Sequence, residues 1–318
     1  TKSDGTTQRL TAGGVLIATG SSPRQLDLFP FESDRVWDSD SILNLEFMPQ
    51  TLAVVGGGVI GSEYACLFAA LGVKAYLIDG RDTLLSFLDP EISATLKQNM
   101  VKLGVQMVMP DRVAGCEAND ERALVTLDSG NELSVDAVLV AAGRVSNVEE
   151  LDLPRAGIQP GSRGLISVDS RYRTEVPHIY AAGDVIGFPA LASTSMEQAR
   201  LAMVDAFELG YKKDAAPILP YGIYTIPEAS MAGESEQTLA AAGIDYVTGK
   251  ASYGDNARGQ IIGDLDGFLK LIYRTDNMRL VGVHAIGEIA SEVVHVGLTA
   301  MMMEATSELF IRTCFNYP

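Results

Sequence analysis

Thr51-Leu-Ala-Val-Val-Gly-Gly-Gly-Val-Ile-Gly-Ser-Glu63 is an apolar, β-rich run that feeds straight into Gly56-x-Gly58-x-x-Gly61 and on into an alanine-rich helical pattern. A second strand pattern, Val73 to Ile78, ends in Asp79, 18 residues beyond Gly61. Three glycines alone would say little. Set between strand and helix, with an acid closing the next strand, they predict a dinucleotide-binding loop. Gly56 is expected to make the tight turn, Gly58 to let the backbone approach a pyrophosphate, and Gly61 to let helix and strand pack closely. The amides of Gly56, Gly57, Gly58, Val59, Ile60 and Gly61, with the helix dipole behind them, are the expected phosphate cradle. Asp79 stands where a carboxylate takes the adenosine ribose hydroxyls of NAD. It should repel the 2′-phosphate of NADP, because two anions at close range are costly. Arg81, two residues on, either offsets that phosphate or is a solvated surface charge.

Outward from the loop, Gly72 is expected to cap the helix from about Gly61 to Leu71. Asp89-Pro90-Glu91 starts a second helix that runs to about Leu103 and stops at Gly104. Val105 to Met109 is strand-like, Cys116 to Val138 has the pattern of a β-meander, and Asp136 to Arg144 is a buried strand ending at glycine. Together these predict a Rossmann-type α/β unit with an antiparallel insertion. Before it lie a polar start, the short strand Val15 to Ala18 and a connection with one short helix near Asp38 to Leu45. After it come strands at Gly164 to Val168 and His178 to Ala182, and a helix from about Ser193 to Leu209. Pro217 and Pro220 mark a boundary. Beyond them, strands are expected at Tyr221 to Ile226, Tyr246 to Tyr253, Gln260 to Gly263, Phe268 to Tyr273 and Leu280 to Ile286, with a closing helix from Ala290 to Met303.

With 318 residues, 47% of them hydrophobic, the chain can fill about two domain cores. A net charge of −17 argues against nucleic-acid and anionic-membrane partners, which need basic surface. No apolar run reaches the length of about 18 residues that a membrane span needs. Three scattered cysteines, Cys66, Cys116 and Cys314, suit a reducing, cytoplasmic setting; all three are expected to be small buried hydrophobes. They form no metal set, and no metal site is expected.

Four motifs in order, Ala18-Thr-Gly20, Gly56 to Glu63, Val140-Ala-Ala-Gly-Arg144 and Tyr180-Ala-Ala-Gly-Asp184, resemble the flavoprotein disulfide reductase superfamily. Within it, Arg81 to Asp89, Gly222-Ile-Tyr-Thr-Ile-Pro-Glu228 and Cys314-Phe-Asn-Tyr-Pro318 look most like the soluble pyridine nucleotide transhydrogenases. The resemblance implies a Rossmann-type NAD(P)-binding domain at 26–144, parts of an FAD-binding domain at 1–25 and 145–215, and an α+β dimerisation domain at 216–318. It implies FAD, NAD and NADP as cofactors and a homodimer or higher homo-oligomer, with the apolar face of Ala290 to Met303 as the seam. The family's own FAD fingerprint and redox cysteine pair do not occur here, so the chain reads as a fragment of such an enzyme.

By the same resemblance, Asp184 would accept a ribitol hydroxyl of FAD after the turn at Gly183. Ala192 would bring backbone amides toward the flavin pyrimidine, Thr19 and Gly20 would lie on the FAD side, and Gly143 near the nicotinamide. Glu63 would steer flavin and nicotinamide, or else is only a first-turn acid favoured by the helix dipole. Disulfide-reducing relatives end in His-x-His-Pro; aligned on Pro318, this chain has Phe315-Asn-Tyr317-Pro318. A phenol with a pKa near 10 does not shuttle protons at neutral pH as imidazole does, so hydride exchange between NADPH and NAD⁺ is expected in place of thiol exchange. The alternatives are a dihydrolipoamide dehydrogenase-like reductase, or an inactive nucleotide-binding and dimerisation fragment.

Overall fold

The computed structural model describes residues 5–212 and 214–317. The alignment anchor Pro318 and the first four residues of the polar start lie outside the described residues. The chain divides into two compact units: residues up to Arg24 with Arg144–Pro217, and Gln25–Gly143 with the residues from Ile218 onward.

The larger unit is built on a five-stranded parallel sheet. Its order is Val36–Asp38, Ala137–Val140, Thr51–Val55, Lys74–Ile78 and Gln106–Val108. Apart from their opening residues Thr51 and Lys74, the three central strands are apolar because both faces are covered, as parallel sheets require. Helices Val59–Ala70 and Pro90–Leu103 cover one face together with Leu52, Val54, Leu77 and Leu139. The antiparallel meander Val113–Ala118, Ala123–Leu127 and Glu132–Val135 covers the other with Val125, Leu127 and Val135. The helix signals act as read. Asp89 accepts from the Glu91 amide at 3.0 Å, Pro90 opens the helix, and Gly104 ends it at φ 110°.

In the same unit an antiparallel sheet runs Tyr221–Ile223, Glu228–Gly233, Leu280–Gly287, Phe268–Arg274 and Tyr246–Ser252, backed by helix Ala290–Met302. Ile223, Ala229, Phe268 and Ile286 belong to the same apolar cluster as Trp37, Phe68 and Leu96, so the two sheets of this unit share a core.

The smaller unit holds the parallel pair Val15–Ile17 and Ile179–Ala181, the antiparallel pair Ser21–Pro23 and Arg144–Ser146, and helix Ala192–Ala206. Ile17, Leu153, Ile158 and Val185 fill its core.

Several expectations are corrected. Gln260 to Gly263 is not a strand: Ala257–Ile262 is a short helix, with Asn256 accepting from the Gly259 amide at 2.7 Å as its cap and Gly263 left-handed after it. Two isoleucines in six residues imitated a strand, and the cap decided otherwise. Leu165 to Val168 has no ladder; a 3-10 turn, Ser162–Gly164, precedes it and only the Ile166 amide reaches across, to Val185 O at 3.0 Å. Asp38 to Leu45 begins with the end of a strand and holds only the 3-10 turn Ser41–Asn44. Strand Glu228–Gly233 and helices Glu236–Ala241 and Ser307–Arg312 went unread. Cys66 is buried, but Cys116 is half-buried and Cys314 exposed, so not all three are core residues.

Candidate nucleotide-binding sites

In the larger unit the glycine loop is fixed from below by contacts that only glycine permits. Gly56, at φ 108°, sends its amide to Ile78 O at 2.8 Å, and a Cβ there would lie 2.5 Å from Ala141 O. A Cβ on Gly61 would run into the Gly56 carbonyl oxygen. The helix therefore crosses the strand end closely enough for the turn to be tight. Gly58 differs: a Cβ there would meet nothing within 4 Å. The open side of the loop is thus above Gly58, the residue expected to face a ligand.

The helix opens two residues earlier than its pattern suggested, at Val59 with Gly58 as cap. Ser62 is the first residue whose amide is taken up inside, by Gly58 O at 2.9 Å. Val59, Ile60 and Gly61 therefore head the helix as its unsatisfied donors, the arrangement that binds anions. The earlier start also moves Glu63 into the second turn, so the dipole does not account for it. Its Oε1 accepts the Tyr224 amide at 2.8 Å, and burial, only partly countered by that hydrogen bond, holds its carboxyl above the ordinary value. Glu63 ties the loop helix to the segment before the cis Ile226–Pro227 bond.

Asp79 closes the next strand and is engaged three times. Its Oδ2 accepts the Gly57 amide at 2.7 Å, while the Arg81 Nε and Nη2 donate to Oδ1 at 2.9 Å and Oδ2 at 2.8 Å. The Arg81 amide adds a fourth bond, to Oδ1 at 2.8 Å. Partial burial raises the carboxyl, but these hydrogen bonds and the guanidinium charge outweigh it and bring it down to about 2. Arg81 is thus paired with Asp79 while its side chain remains 53% exposed.

In the smaller unit Ser21, which motif reading passed over, joins the predicted residues. Its hydroxyl donates to Asp184 Oδ2 at 2.8 Å and receives Arg144 Nε at 2.7 Å. Asn147 donates through its amide to Gly20 O at 3.0 Å and through Nδ2 to Thr19 O at 3.0 Å. Gly183, at φ 83°, sends its amide to the buried Gln198 Oε1 at 2.7 Å, which ties the turn to the helix that Ala192 begins. Thr19, Gly20, Gly183 and Asp184 are thus held in one network, with Ser21, Asn147 and Gln198 as members that sequence reading missed. Ser21 opens a strand of only three residues, too short to show a pattern of its own. Gly143, left-handed at φ 96°, belongs to the larger unit, at the end of the strand beside the loop.

Residues 1–200 match the profile of the pyridine nucleotide-disulphide oxidoreductase family, and residues 219–318 match that family's dimerisation domain. The chain belongs to this family.

Among its relatives, the soluble pyridine nucleotide transhydrogenase of Mycobacterium tuberculosis (strain ATCC 25177 / H37Ra) is 44% identical over 310 residues, 97% of this chain and 66% of that protein. The soluble pyridine nucleotide transhydrogenase of Vibrio atlanticus is 42% identical over 320 residues, covering 100% of this chain and 69% of that protein. The chain thus spans about two thirds of the relatives it matches. The crystal structure of LpdA from M. tuberculosis superposes with a TM-score of 0.93 at 29% identity, covering 100% of this chain and 69% of that one. The HOCl-induced flavoprotein disulfide reductase RclA from Escherichia coli gives 0.90 at 25% identity, over 96% of this chain and 70% of that one. The α/β fold with a dimerisation domain is that of the flavoprotein disulfide reductases. None of the described helices is long and apolar enough to cross a membrane.

Proposed function

We propose that the chain serves an FAD-dependent soluble NAD(P)⁺ transhydrogenase, which moves a hydride from NADPH to NAD⁺. The observation that carries this is the pairing of Asp79 with Arg81 at the end of the second strand, in a chain 44% identical to proteins of that name. An enzyme that handles both nucleotides needs an acceptor for the free ribose hydroxyls of one and a cation for the 2′-phosphate of the other; Asp79 and Arg81 supply them.

The loop fits a dinucleotide because Gly58 leaves its space open and the amides of Val59, Ile60 and Gly61 are unspent. Gly56, Gly57 and Gly61 hold the turn, and Gly143 is assigned to the nicotinamide end. FAD, when bound, supplies the hydride relay between the two nucleotides. Asp184, oriented by Ser21, is assigned to its ribitol, with Thr19, Gly20, Gly183 and Ala192 as backbone neighbours. Glu63 holds the Tyr224 amide and so steadies the segment it touches. The protein's contribution is position and electrostatics, and no thiol base is required. Tyr317, standing where disulfide-reducing relatives carry histidine, receives the Ala257 amide at 3.2 Å and is held by a structural contact.

Residues 26–144 are assigned to NAD(P), 1–25 and 145–215 to FAD, and 216–318 to dimerisation. The protein is assigned as a cytoplasmic homodimer. Its free cysteines suit a reducing compartment, and an apolar groove of about 860 Å³ along helix Ala290–Met302, lined by Val296, Met303, Leu309 and Phe315, suits a second copy.

The test is hydride exchange by the whole protein carrying this chain. NADPH-dependent reduction of a thio-analogue of NAD⁺ is expected, with little turnover of lipoamide or oxidised glutathione. Fast lipoamide turnover without nucleotide exchange would replace this reading with a disulfide reductase.

A further inference from the structure

The Asp79–Arg81 pair has a third neighbour that neither motif nor family assignment explains. Between the two residues lies Gly80, and the side chain of Arg112 is laid across it. A Cβ on Gly80 would run into Arg112 Nε and lie 2.7 Å from Cγ and 3.0 Å from Cδ. Glycine at position 80 is therefore what lets this arginine rest there. Arg112 is set by its own backbone: its amide donates to Asp111 Oδ1 at 2.8 Å, and its carbonyl receives the Asp128 amide at 2.8 Å. The neighbouring Asp111 amide bonds Asp79 O at 3.0 Å, which ties the end of the third strand to the end of the second. Among the described residues, no carboxylate pairs with the Arg112 guanidinium, whereas Arg81 is spent on Asp79.

Charge decides what this cation is for. A 2′-phosphate carries nearly two negative charges, and Asp79 beside it carries another. Arg81 alone, already balancing Asp79, leaves the phosphate uncompensated. A second guanidinium within reach of the same strand end corrects that, and its planar fork suits phosphate oxygens. A ribose with a free 2′-hydroxyl makes no such demand.

We propose that Arg112, seated on Gly80, is the standing half of a 2′-phosphate subsite whose movable half is Arg81. This rests on the nucleotide reading of the glycine loop and deepens it. NADP(H) draws Arg81 from Asp79 onto the phosphate beside Arg112, while NAD(H) engages Asp79 and leaves Arg112 unused. Arg112 thus determines specificity without entering the hydride step.

Calorimetric titration of the chain with 2′,5′-ADP and with 5′-AMP tests this without any flavin. Arg112→Ala is expected to weaken 2′,5′-ADP by about tenfold, the worth of one charge-assisted phosphate contact, and to change 5′-AMP less than about twofold. Gly80→Ala keeps the charge but displaces the side chain, and should reproduce the selective loss; its φ lies outside the left-handed region that excludes alanine, and the atoms in the way belong to the Arg112 side chain. Equal weakening of both ligands, or unchanged 2′,5′-ADP affinity in both variants, would overturn the subsite while leaving the loop's nucleotide role intact. Failure of the unmodified chain to bind either ligand would overturn the loop reading and the subsite with it.

Discussion

Asp79 and Asp89 are ten residues apart in the sequence and each meets a cation, but the two pairs are built for different ends. Asp79 holds Arg81 at the open end of a strand, where the arginine is 53% exposed. Asp89 is fully buried and holds Lys270, itself 2% exposed, at 2.9 Å. Lys270 also reaches Glu91 at 2.8 Å and contacts Glu236, so one ammonium gathers three carboxylates. Burial disfavours its charge, yet these partners raise its pKa above the ordinary lysine value. Asp89 meanwhile caps helix Pro90–Leu103 through its other oxygen. The buried cluster therefore locks that helix to strand Phe268–Arg274, whereas the rim pair leaves its arginine open to solvent. A site that must exchange partners needs the second kind; a joint inside a shared core needs the first.

The contrast can be broken first at Lys270. Lys270→Met should lower stability by about 3–5 kcal/mol in urea unfolding, because it strands Asp89 as an uncompensated buried charge. A loss below about 1 kcal/mol would mean that the cluster behaves like a surface pair. Next in size is Gly61→Ala, whose new methyl presses on the Gly56 carbonyl oxygen and must push the loop open. It should cost about 1–3 kcal/mol and, by opening the cradle, most of the affinity for NAD; wild-type affinity would show that the close crossing is not what shapes the site.

His284 gives a smaller, pH-dependent test of the buried side. It is fully buried opposite Lys270 in the ladder, its Nε2 lies 2.9 Å from Glu234 O, and burial depresses its pKa from 6.5. The unfolded chain therefore takes up this proton first. Its contribution to stability is complete above pH 6.5 and is lost as the pH falls from there toward the folded pKa. The melting temperature should fall between pH 7.5 and 5.5 and fall less in His284→Gln; identical slopes would remove His284 from the account.

On the rim, Arg81→Ala should change stability by less than about 1 kcal/mol. Asp79, ionised down to about pH 2, contributes fully above its ordinary value of 3.8 and loses that contribution as the pH falls through this interval. Asp79→Ala should weaken NAD more than NADP in binding titrations, and equal losses would cancel its discriminating role.

Much of this molecule could be read because its signals are local. The glycine spacing, the Asp89-Pro90-Glu91 start and the Gly104 stop act within a few residues, and the structure follows them. The misreadings share a cause as well. Gln260 to Gly263 looked like a strand because a six-residue helix has too little length to show a period, and the Asn256 cap was overlooked. Nothing in Phe268-Leu-Lys-Leu-Ile-Tyr-Arg274 marks Lys270 as a buried cation, since a lysine in an alternating strand normally faces water.

Sequence alone determined the parallel α/β unit and the glycine loop between its strand and helix, because turn geometry, capping and strand alternation are properties of neighbouring residues. Tertiary structure alone decided which charges are buried and which face solvent. Lys270 finds Asp89 across 181 positions, and Arg112 comes to rest on Gly80 from the loop before strand Val113–Ala118. Those partnerships depend on which strand ends the sheet brings together, and no local pattern encodes that.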